Sequence, residues 1–364
     1  MSPTDFKARL EEHIAEIRSD IRRGAYKFNK LRIALKKKPT GSYRVLAIPT
    51  VRDRLLQRAL LADLEADRRV KATSTISYGF TKGRKLRDAQ EAALMLRGTR
   101  PWVLKADIER FFDRIPRQKV KDLINEQVRR KSIARLLCSA VDCELDDGGG
   151  WASEIARANG IQKGRGLRQG MPVSPMLSNI LLKEFDDAVS KRGIVAVRYA
   201  DDIAVFGSGE KECLGALDFM RHDLGAIRLT LPPIGPETKT SLFGPSEAVE
   251  FLGVEIRRIG ETYKLSAPFK KLEKIATDMA SIASAAWCLE KRKNLGQVVR
   301  ILDSFVIGHY HSMQVLDNPE DFLARLEAAK RKRLKCLLVE ILGKHTVEHL
   351  NEKHLSILGL VPFT

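Results

Sequence analysis

Apolar and polar residues alternate along this chain of 364 residues with two different periods. Apolar positions three or four residues apart are typical of amphipathic helices, and β-branched runs bounded by turn residues are typical of strands. The helical period predicts helices within 5–35, from about 53, over 86–96, within 117–140, over 175–191, over 210–228 and from 268 onward. The extended period predicts strands at 43–51, 102–108, 249–256 and 261–266, and a hairpin at 194–207. We expect the glycine-rich, polar residues 144–170 to form an exposed connection in an α+β fold.

Three carboxylates lie at the ends of the predicted strands. Asp107 ends an apolar strand, and Asp201 and Asp202 lie at the tip of the 194–207 hairpin. Burying a carboxylate is costly unless it is paired or binds a metal. Converging carboxylates can hold two Mg²⁺ ions, and such a pair about 3.5–4 Å apart catalyses in-line phosphoryl transfer. The residues alone leave two readings open, an ordinary acidic turn and a nucleotidyl-transfer site.

The excess of basic residues narrows the class of partner. The chain has 64 Lys and Arg against 46 Asp and Glu, a net charge of +18. This excess predicts an anionic partner, either a nucleic acid or an acidic membrane surface. Residues 1–58 carry +9 of the net charge. A solvated surface is the alternative, but concentration at one end favours a functional electropositive face.

Cysteine usage and hydropathy exclude several classes of protein. The five cysteines are scattered without CxxC spacing, which predicts reduced thiols in a cytoplasmic protein rather than disulfides or a zinc site. The first residues lack the apolar core of a signal peptide. No apolar stretch approaches the ~18 residues of a membrane span, so we expect no membrane insertion.

Six motifs, in order along the chain, resemble those of reverse transcriptases of the bacterial branch that includes group II intron, retron and defence-associated enzymes. Tyr199–Asp202 resembles the YADD box, and residues 105–116 resemble the first palm motif. The remaining four resemblances lie at YRVLAIPTVRDRLLQRAL (43–60), SYGFTKGRKLRDA (77–89), GLRQGMPVSPMLSNILL (166–182) and FLG (251–253). The YADD box alone is a weak signal, whereas the ordered set is strong.

The resemblance implies a fold and a domain organisation. The fold is an α+β right-hand polymerase with fingers, an antiparallel palm sheet and a helical thumb. Residues 1–100 then correspond to the fingers, 101–266 to the palm with a finger insertion at about 117–170, and 267–364 to an RNA-binding thumb.

The same resemblance assigns the acidic residues. Asp107 and Asp201 are implied metal ligands, helped by the backbone carbonyl of Ile108, and Asp202 completes the cluster. The implied cofactor is a pair of Mg²⁺ ions, with Mn²⁺ as an alternative.

Residues for the nucleotide and the primer are also implied. The nucleotide-binding residues are Arg44, Arg52, Phe112, Gln169, Gly170 and Lys239, and the primer grip is Phe251, Leu252 and Gly253. Phe112 corresponds to the aromatic gate against a ribose 2′-hydroxyl, with core packing as the alternative. Lys239 corresponds to the lysine that neutralises or protonates pyrophosphate, with an ordinary surface lysine as the alternative. Arg52 has the alternative of an ion pair with Asp53 or with the neighbours of Asp107.

These assignments predict an RNA-directed DNA polymerase that uses an RNA template, a DNA product or primer and dNTPs. The sequence contains no endonuclease or ribonuclease H motif, so we expect a role in phage defence with a dedicated non-coding RNA. The alternatives are a compact group II intron or retron enzyme, RNA-dependent RNA synthesis, and a non-catalytic, maturase-like RNA-binding protein. Template identity, priming and any homo-oligomer or partner protein stay open.

Overall fold

The computed structural model describes residues 2–38 and 41–358 and divides into two compact units after Gly244. Within these described ranges, no helix is both long enough and apolar enough to cross a membrane. The α+β class predicted from the sequence is confirmed, since each unit combines helices with an antiparallel sheet.

The first unit contains ten helices and six strands among its described residues. The helices are α1 (Pro3–Ala8), α2 (Leu10–Arg22), α3 (Val51–Ala66), α4 (Leu86–Thr99), α5 (Phe111–Arg114), α6 (Arg117–Gln127), α7 (Lys131–Val141), α8 (Trp151–Ala158), α9 (Ser174–Lys191) and α10 (Glu210–Ala226). The strands are β1 (Arg32–Lys37), β2 (Tyr43–Ile48), β3 (Trp102–Asp107), β4 (Val195–Tyr199), β5 (Asp202–Gly207) and β6 (Ser241–Phe243).

The central sheet of this unit has the strand order β4-β5-β3-β6, with antiparallel neighbours. Its middle strands are apolar because both faces are covered: α10 packs against β3 and β5, and α4 packs against β4 and β5. Val103, Leu104 and Ala106 are therefore fully buried. Antiparallel pairing brings the end of β3 beside the start of β5, where the acidic residues lie.

The prediction that residues 5–35 form only helices is wrong. Leu31 and Leu35 do not extend the N-terminal helices, because β1 begins at Arg32 and pairs with β2. Leu31, Ile33 and Leu35 also fit the two-residue period of a strand, and the chain adopts the strand in this region.

Residues 144–170 are not simply an exposed connection. They contain α8, whose Ser153 and Ala156 are buried, and α8 packs against β1 and β2. Buried Arg117 on α6 bonds to the carboxylate of Glu144, which anchors the segment to the rest of the unit. Buried Arg168, within the segment, bonds to the same carboxylate.

The second unit has a three-stranded sheet followed by helices. Its strands are β7 (Val249–Phe251), β8 (Val254–Ile259) and β9 (Thr262–Ser266), in that order in the sheet. Its described helices are α11 (Phe269–Ile282), α12 (Ala285–Lys291), α13 (Leu295–Ser312), α14 (Pro319–Leu342), α15 (Lys344–Glu348) and α16 (Glu352–Ile357). The single strand predicted over 249–256 is wrong, because left-handed Leu252 and Gly253 (φ 51° and 78°) turn the chain between β7 and β8.

Candidate active site

The three predicted acidic residues meet at one corner of the central sheet. Asp107 is the last residue of β3 and lies opposite Asp202, the first residue of β5, in the strand register. Asp201 lies in the turn between β4 and β5, and its carbonyl accepts a hydrogen bond from the Ile108 N–H at 3.1 Å. Strand pairing therefore brings together residues that are almost one hundred positions apart in the sequence.

The electrostatics of this corner are dominated by negative charge. Burial, together with the charge of Asp107, raises the pKa of Asp201 to about 6 and also raises the pKa of Asp202. Lys239 Nζ donates a hydrogen bond to Asp107 Oδ2 at 2.7 Å. Burial lowers the pKa of Lys239, but this bond and the three nearby carboxylates outweigh that effect, and the net shift is upward. One lysine does not neutralise three carboxylates, so the corner attracts further positive charge.

The carboxylates supply the oxygen donors that Mg²⁺ and Mn²⁺ prefer. In residues 2–38 and 41–358, no group of three or more acidic, histidine or cysteine side chains is arranged to hold one metal ion. Asp107 is bonded to Lys239. The chemistry of the donors fits a divalent cation. One oxygen of Asp107 accepts the hydrogen bond from Lys239.

A cavity of about 600 Å³ lies beside the acidic corner. Six residues assigned from the sequence line it: Arg44, Asp107, Phe112, Gln169, Asp201 and Lys239. Charged side chains outside that assigned set line it too: Lys38, Glu109, Arg110, Asp113 and Glu237. Asp202 and Gly170 are not among the lining residues. The cavity thus is lined by both carboxylates and cationic groups, which suits a ligand carrying both a metal and phosphates.

Phe112 is held at the cavity wall by its backbone. It belongs to the short helix α5, which follows Arg110 in the left-handed conformation (φ 48°). The Phe112 carbonyl accepts a hydrogen bond from the Leu167 N–H at 2.7 Å. Its ring is half-buried and lines the cavity, whereas the adjacent Phe111 is buried in the core.

Gln169 and Gly170 pack against β2. The Gln169 carbonyl accepts a hydrogen bond from the Ala47 N–H at 2.7 Å. Gly170 has φ +110°, and a Cβ atom there would lie 2.6 Å from the Ala47 carbonyl oxygen. Only glycine fits this close approach, which keeps Gln169 at the cavity wall.

The two arginines assigned to the nucleotide lie in different surroundings. Arg44 on β2 is exposed and lines the cavity. The Arg52 guanidinium forms an ion pair with Asp20 and lies 4.9 Å from the ring centre of Tyr26. Arg52 is not among the lining residues, and its predicted alternative partner Asp53 instead accepts bonds from Tyr26, Asn29 and Thr50. In the structure, Arg52 therefore pairs with Asp20 rather than with Asp53, and it does not line the cavity proposed for the nucleotide.

The predicted primer grip belongs to the second unit. Phe251 ends β7 and is 1% exposed, and Leu252 is half-buried. The Gly253 carbonyl accepts a hydrogen bond from Lys271 Nζ at 3.2 Å. These contacts give the motif a rigid turn between two strands.

Sequence reasoning missed Arg110 and Glu237 as cavity residues. The Arg110 guanidinium lies against Gly160, where an added Cβ atom would approach its Nη1 to 2.3 Å. No local pattern marks a left-handed arginine or its distant neighbour. The signal available for Arg110 was its position within the first palm motif, residues 105–116.

Comparison with known proteins gives several distant relatives. The chain is 26% identical over 344 residues to protein YkfC of Escherichia coli K12, covering 79% of this chain and 83% of YkfC. It is 27% identical over 187 residues to the Retron Ec83 reverse transcriptase of E. coli, covering 49% and 53% of the two chains. It is 27% identical over 180 residues to the group II intron-encoded protein LtrA of Lactococcus lactis subsp. cremoris, covering 49% and 28%. The chain therefore spans most of YkfC, about half of the retron enzyme and about a quarter of LtrA.

A solved structure and a family match complete the comparison. The apo telomerase of Candida tropicalis is 12% identical with a TM-score of 0.45, covering 92% of this chain and 69% of the telomerase. Residues 35–256, more than half of the chain, match the family described as reverse transcriptase (RNA-dependent DNA polymerase). This match confirms the resemblance and the right-hand polymerase fold expected from the motifs. The chain belongs to the reverse transcriptase family, the RNA-dependent DNA polymerases.

Proposed function

We propose that this protein copies an RNA template into DNA at the cavity beside Asp107 and Asp201. One observation carries the proposal: these two carboxylates line a cavity of about 600 Å³ that Arg44, Phe112 and Lys239 also line. This set combines acidic metal ligands, a phosphate-binding cation and an aromatic side chain, the groups that polymerisation of a deoxynucleoside triphosphate requires.

The proposed cofactor is a pair of divalent cations, Mg²⁺ with Mn²⁺ as an alternative. Asp107, Asp201, Asp202 and the Ile108 carbonyl would hold them, since all four supply oxygen donors. When bound, the ions stabilise charge on the attacking and leaving oxygens of the phosphoryl transfer. We assign to Lys239 Nζ the neutralisation of the departing pyrophosphate, to which it can also donate a proton. The hydrogen bond of Lys239 to Asp107, which places its ammonium group at the acidic corner, supports this assignment.

We assign the remaining cavity residues to the incoming nucleotide. Arg44 offers a forked, permanently charged donor set for the triphosphate. Gln169 offers an amide to the sugar or base. Phe112 excludes a ribose 2′-hydroxyl. The predicted primer grip at 251–253 and the helical thumb keep their roles as proposals for the primer end and for the RNA.

Substitution of Phe112 by alanine should relax the choice of sugar. Removing the ring opens space for a 2′-hydroxyl, and the preference for dNTP over NTP is expected to fall by about 10–100-fold, the range a single apolar contact provides. The measurement is the ratio of kcat/KM for dNTP and NTP on one primed template. Phe112→Tyr, which keeps the ring, serves as the control. An unchanged ratio in an active Phe112→Ala enzyme would contradict the gate assignment.

Substitution of Arg44 by alanine should weaken nucleotide binding. A charge-assisted hydrogen bond contributes about 1.5–3 kcal/mol, so KM for dNTP is expected to rise by roughly tenfold or more. Steady-state kinetics over a dNTP series measures this change. Arg52→Ala is the matched control: it removes an arginine that pairs with Asp20, so it should lower the melting temperature and leave KM unchanged. Equal increases in KM for the two variants would show that Arg52 also binds the nucleotide.

For the biological role, we propose antiviral defence with a dedicated non-coding RNA. The net charge of +18 and the likeness to a retron reverse transcriptase support a stable RNA partner. Five free cysteines favour a reducing compartment such as the cytoplasm. Sequencing the nucleic acid that co-purifies, before and after dNTP addition, tests this role. A single non-coding RNA with its cDNA is expected, whereas intron RNA would favour the group II alternative.

A product assay tests the proposed activity. The purified protein receives a primed RNA template, Mg²⁺ and either labelled dNTPs or labelled NTPs. We expect a product from dNTPs that resists ribonuclease, is digested by deoxyribonuclease and disappears when the template is destroyed first. A product from NTPs alone would favour RNA-dependent RNA synthesis. Binding of RNA without any product would favour a maturase-like protein.

A further inference from the structure

Arg198 on β4 is a fully buried arginine immediately upstream of the catalytic turn, which we define as residues 199–202. Its Nε and Nη2 donate to the two carboxylate oxygens of buried Asp186 on α9, each at 2.6 Å. Its Nη1 donates to the carbonyl oxygen of Ala200 at 3.0 Å. The same guanidinium therefore joins the helix α9 to the backbone of the catalytic turn.

All five N–H donors of Arg198 have partners. Nη1 also donates to Asn179 Oδ1 at 3.2 Å, and Nη2 also donates to Ser77 Oγ at 2.9 Å. A guanidinium has five donors in a rigid plane, so this set of acceptors fixes its position completely. Lysine at this position has one ammonium group and cannot reach all of these acceptors together.

The same network attaches the segment 74–81 to the catalytic turn. Ser74 Oγ donates to Asp186 Oδ2 at 2.8 Å, and Asn179 Nδ2 donates to the Gly79 carbonyl at 2.9 Å. The backbone of Arg198 accepts from the Tyr78 N–H at 2.8 Å and donates to the Ile76 carbonyl at 2.7 Å. Side chains and backbone thus hold one surface of the turn against a single segment.

The backbone of the catalytic turn needs such support. Ala200 has φ 57°, a left-handed conformation that costs a residue with a Cβ atom roughly 1–2 kcal/mol. Strained residues persist only where their surroundings hold them in place. Ala200 immediately precedes Asp201, so a change in its backbone angles redirects the Asp201 carboxylate.

We propose that Arg198 and Asp186 are positioning residues that hold Ala200 in its left-handed conformation and thereby aim Asp201 into the active site. The inference rests on the proposed catalytic role of Asp201. A buried ion pair alone is weak evidence of a contribution to stability, because apolar replacements often fold as well. The bond from Arg198 to the Ala200 carbonyl gives this pair a geometric task that an apolar pair cannot perform.

The test compares three variants of the network with one matched control. Arg198→Lys keeps the charge and loses the forked geometry, Asp186→Asn removes the paired charge, and Ser77→Ala removes one bond only. The control Asp53→Asn alters another fully buried carboxylate of the same unit, which accepts bonds from Tyr26, Asn29 and Thr50. Ser77→Ala keeps the inference testable if the charge variants do not fold.

Three measurements are made on each folded variant: kcat and KM for dNTP, Mn²⁺ binding followed by electron paramagnetic resonance, and hydrogen exchange of peptides covering 74–81 and 195–207. For Arg198→Lys and Asp186→Asn we expect kcat and Mn²⁺ affinity to fall by about 10–100-fold, as for residues that support metal ligands. KM for dNTP should stay within about twofold, since the groups that bind the substrate are intact. Exchange in both peptides should accelerate. Ser77→Ala should give smaller changes of the same kind, and Asp53→Asn should lower the melting temperature alone.

Wild-type kcat and Mn²⁺ affinity in folded Arg198→Lys and Ser77→Ala would overturn the inference, even if exchange is faster. Changes of equal size in Asp53→Asn would also overturn it, because they would reflect general destabilisation. If the wild-type protein itself makes no DNA, the proposed function fails. The Mn²⁺ affinities and exchange rates then still decide the role of Arg198 and Asp186.

Discussion

Substitution of Asp201 by asparagine should abolish DNA synthesis while leaving the protein folded. Asparagine matches the shape of aspartate but removes the negative charge that would bind a divalent cation. Losing charge stabilisation of several kcal/mol in the transition state corresponds to a loss in kcat of about 10³-fold or more. A primer-extension assay with saturating dNTP and Mg²⁺ measures this loss.

The melting temperature of Asp201→Asn separates a chemical effect from unfolding. Burial and the charge of Asp107 raise the pKa of Asp201 to about 6. A carboxyl group with a raised pKa opposes folding at neutral pH, and this penalty fades as the pH falls through about 6 toward the ordinary value of 3.8. In chelator at neutral pH, Asp201→Asn should therefore melt at the same or a higher temperature than the wild type. RNA binding should be unchanged. Activity comparable to wild type would contradict the assignment of Asp201 as a metal ligand.

The acidic corner was accessible to sequence reasoning because its motifs resemble those of a known family and its strands have a regular backbone. An apolar strand ending at Asp107 and a hairpin with acids at its tip need only strand pairing to bring their carboxylates together. The helix predicted to begin near Pro175 and the strand over 102–108 follow from periodicity in the same way. These two elements, which have a regular backbone, were therefore predicted correctly.

Features that depend on distant partners were not accessible. Whether Arg52 faces a nucleotide or an acid depends on where Asp20 lies after folding, and nothing near Arg52 in the sequence specifies that. Residues 144–170 resemble a loop in composition, yet Glu144 attaches them to α6 by binding buried Arg117. Arg198 reads as a strand residue, and its role follows only from Asp186 on a different element. Long-range ion pairs thus account for the differences at Arg52 and at residues 144–170.

Substitution of Gly79 by alanine should inactivate the enzyme through the catalytic turn. A Cβ atom on Gly79 would lie 2.5 Å from the Ala200 nitrogen and 3.0 Å from the Tyr199 carbonyl carbon, both backbone atoms. The turn cannot yield freely, because the Arg198 guanidinium also holds the Ala200 carbonyl. Either the segment 74–81 or the turn must move, and a displacement of about 1 Å at a catalytic group can cost about 10²-fold in rate. Overpacking should also destabilise the fold by about 1–3 kcal/mol, measured by denaturant unfolding.

Gly98→Ala is the matched control for this steric argument. Gly98 lies in the exposed last turn of α4, where an added Cβ atom would meet nothing within 4 Å. Alanine there should leave kcat unchanged and raise stability by up to about 1 kcal/mol, because it favours the helix. Wild-type kcat and unchanged hydrogen exchange of the 195–207 peptide in Gly79→Ala would contradict the prediction. They would show that the segment 74–81 can move away from the turn 199–202 without a loss of activity. Loss of kcat with preserved dNTP binding would instead show that the close approach at Gly79 keeps Asp201 in its working position.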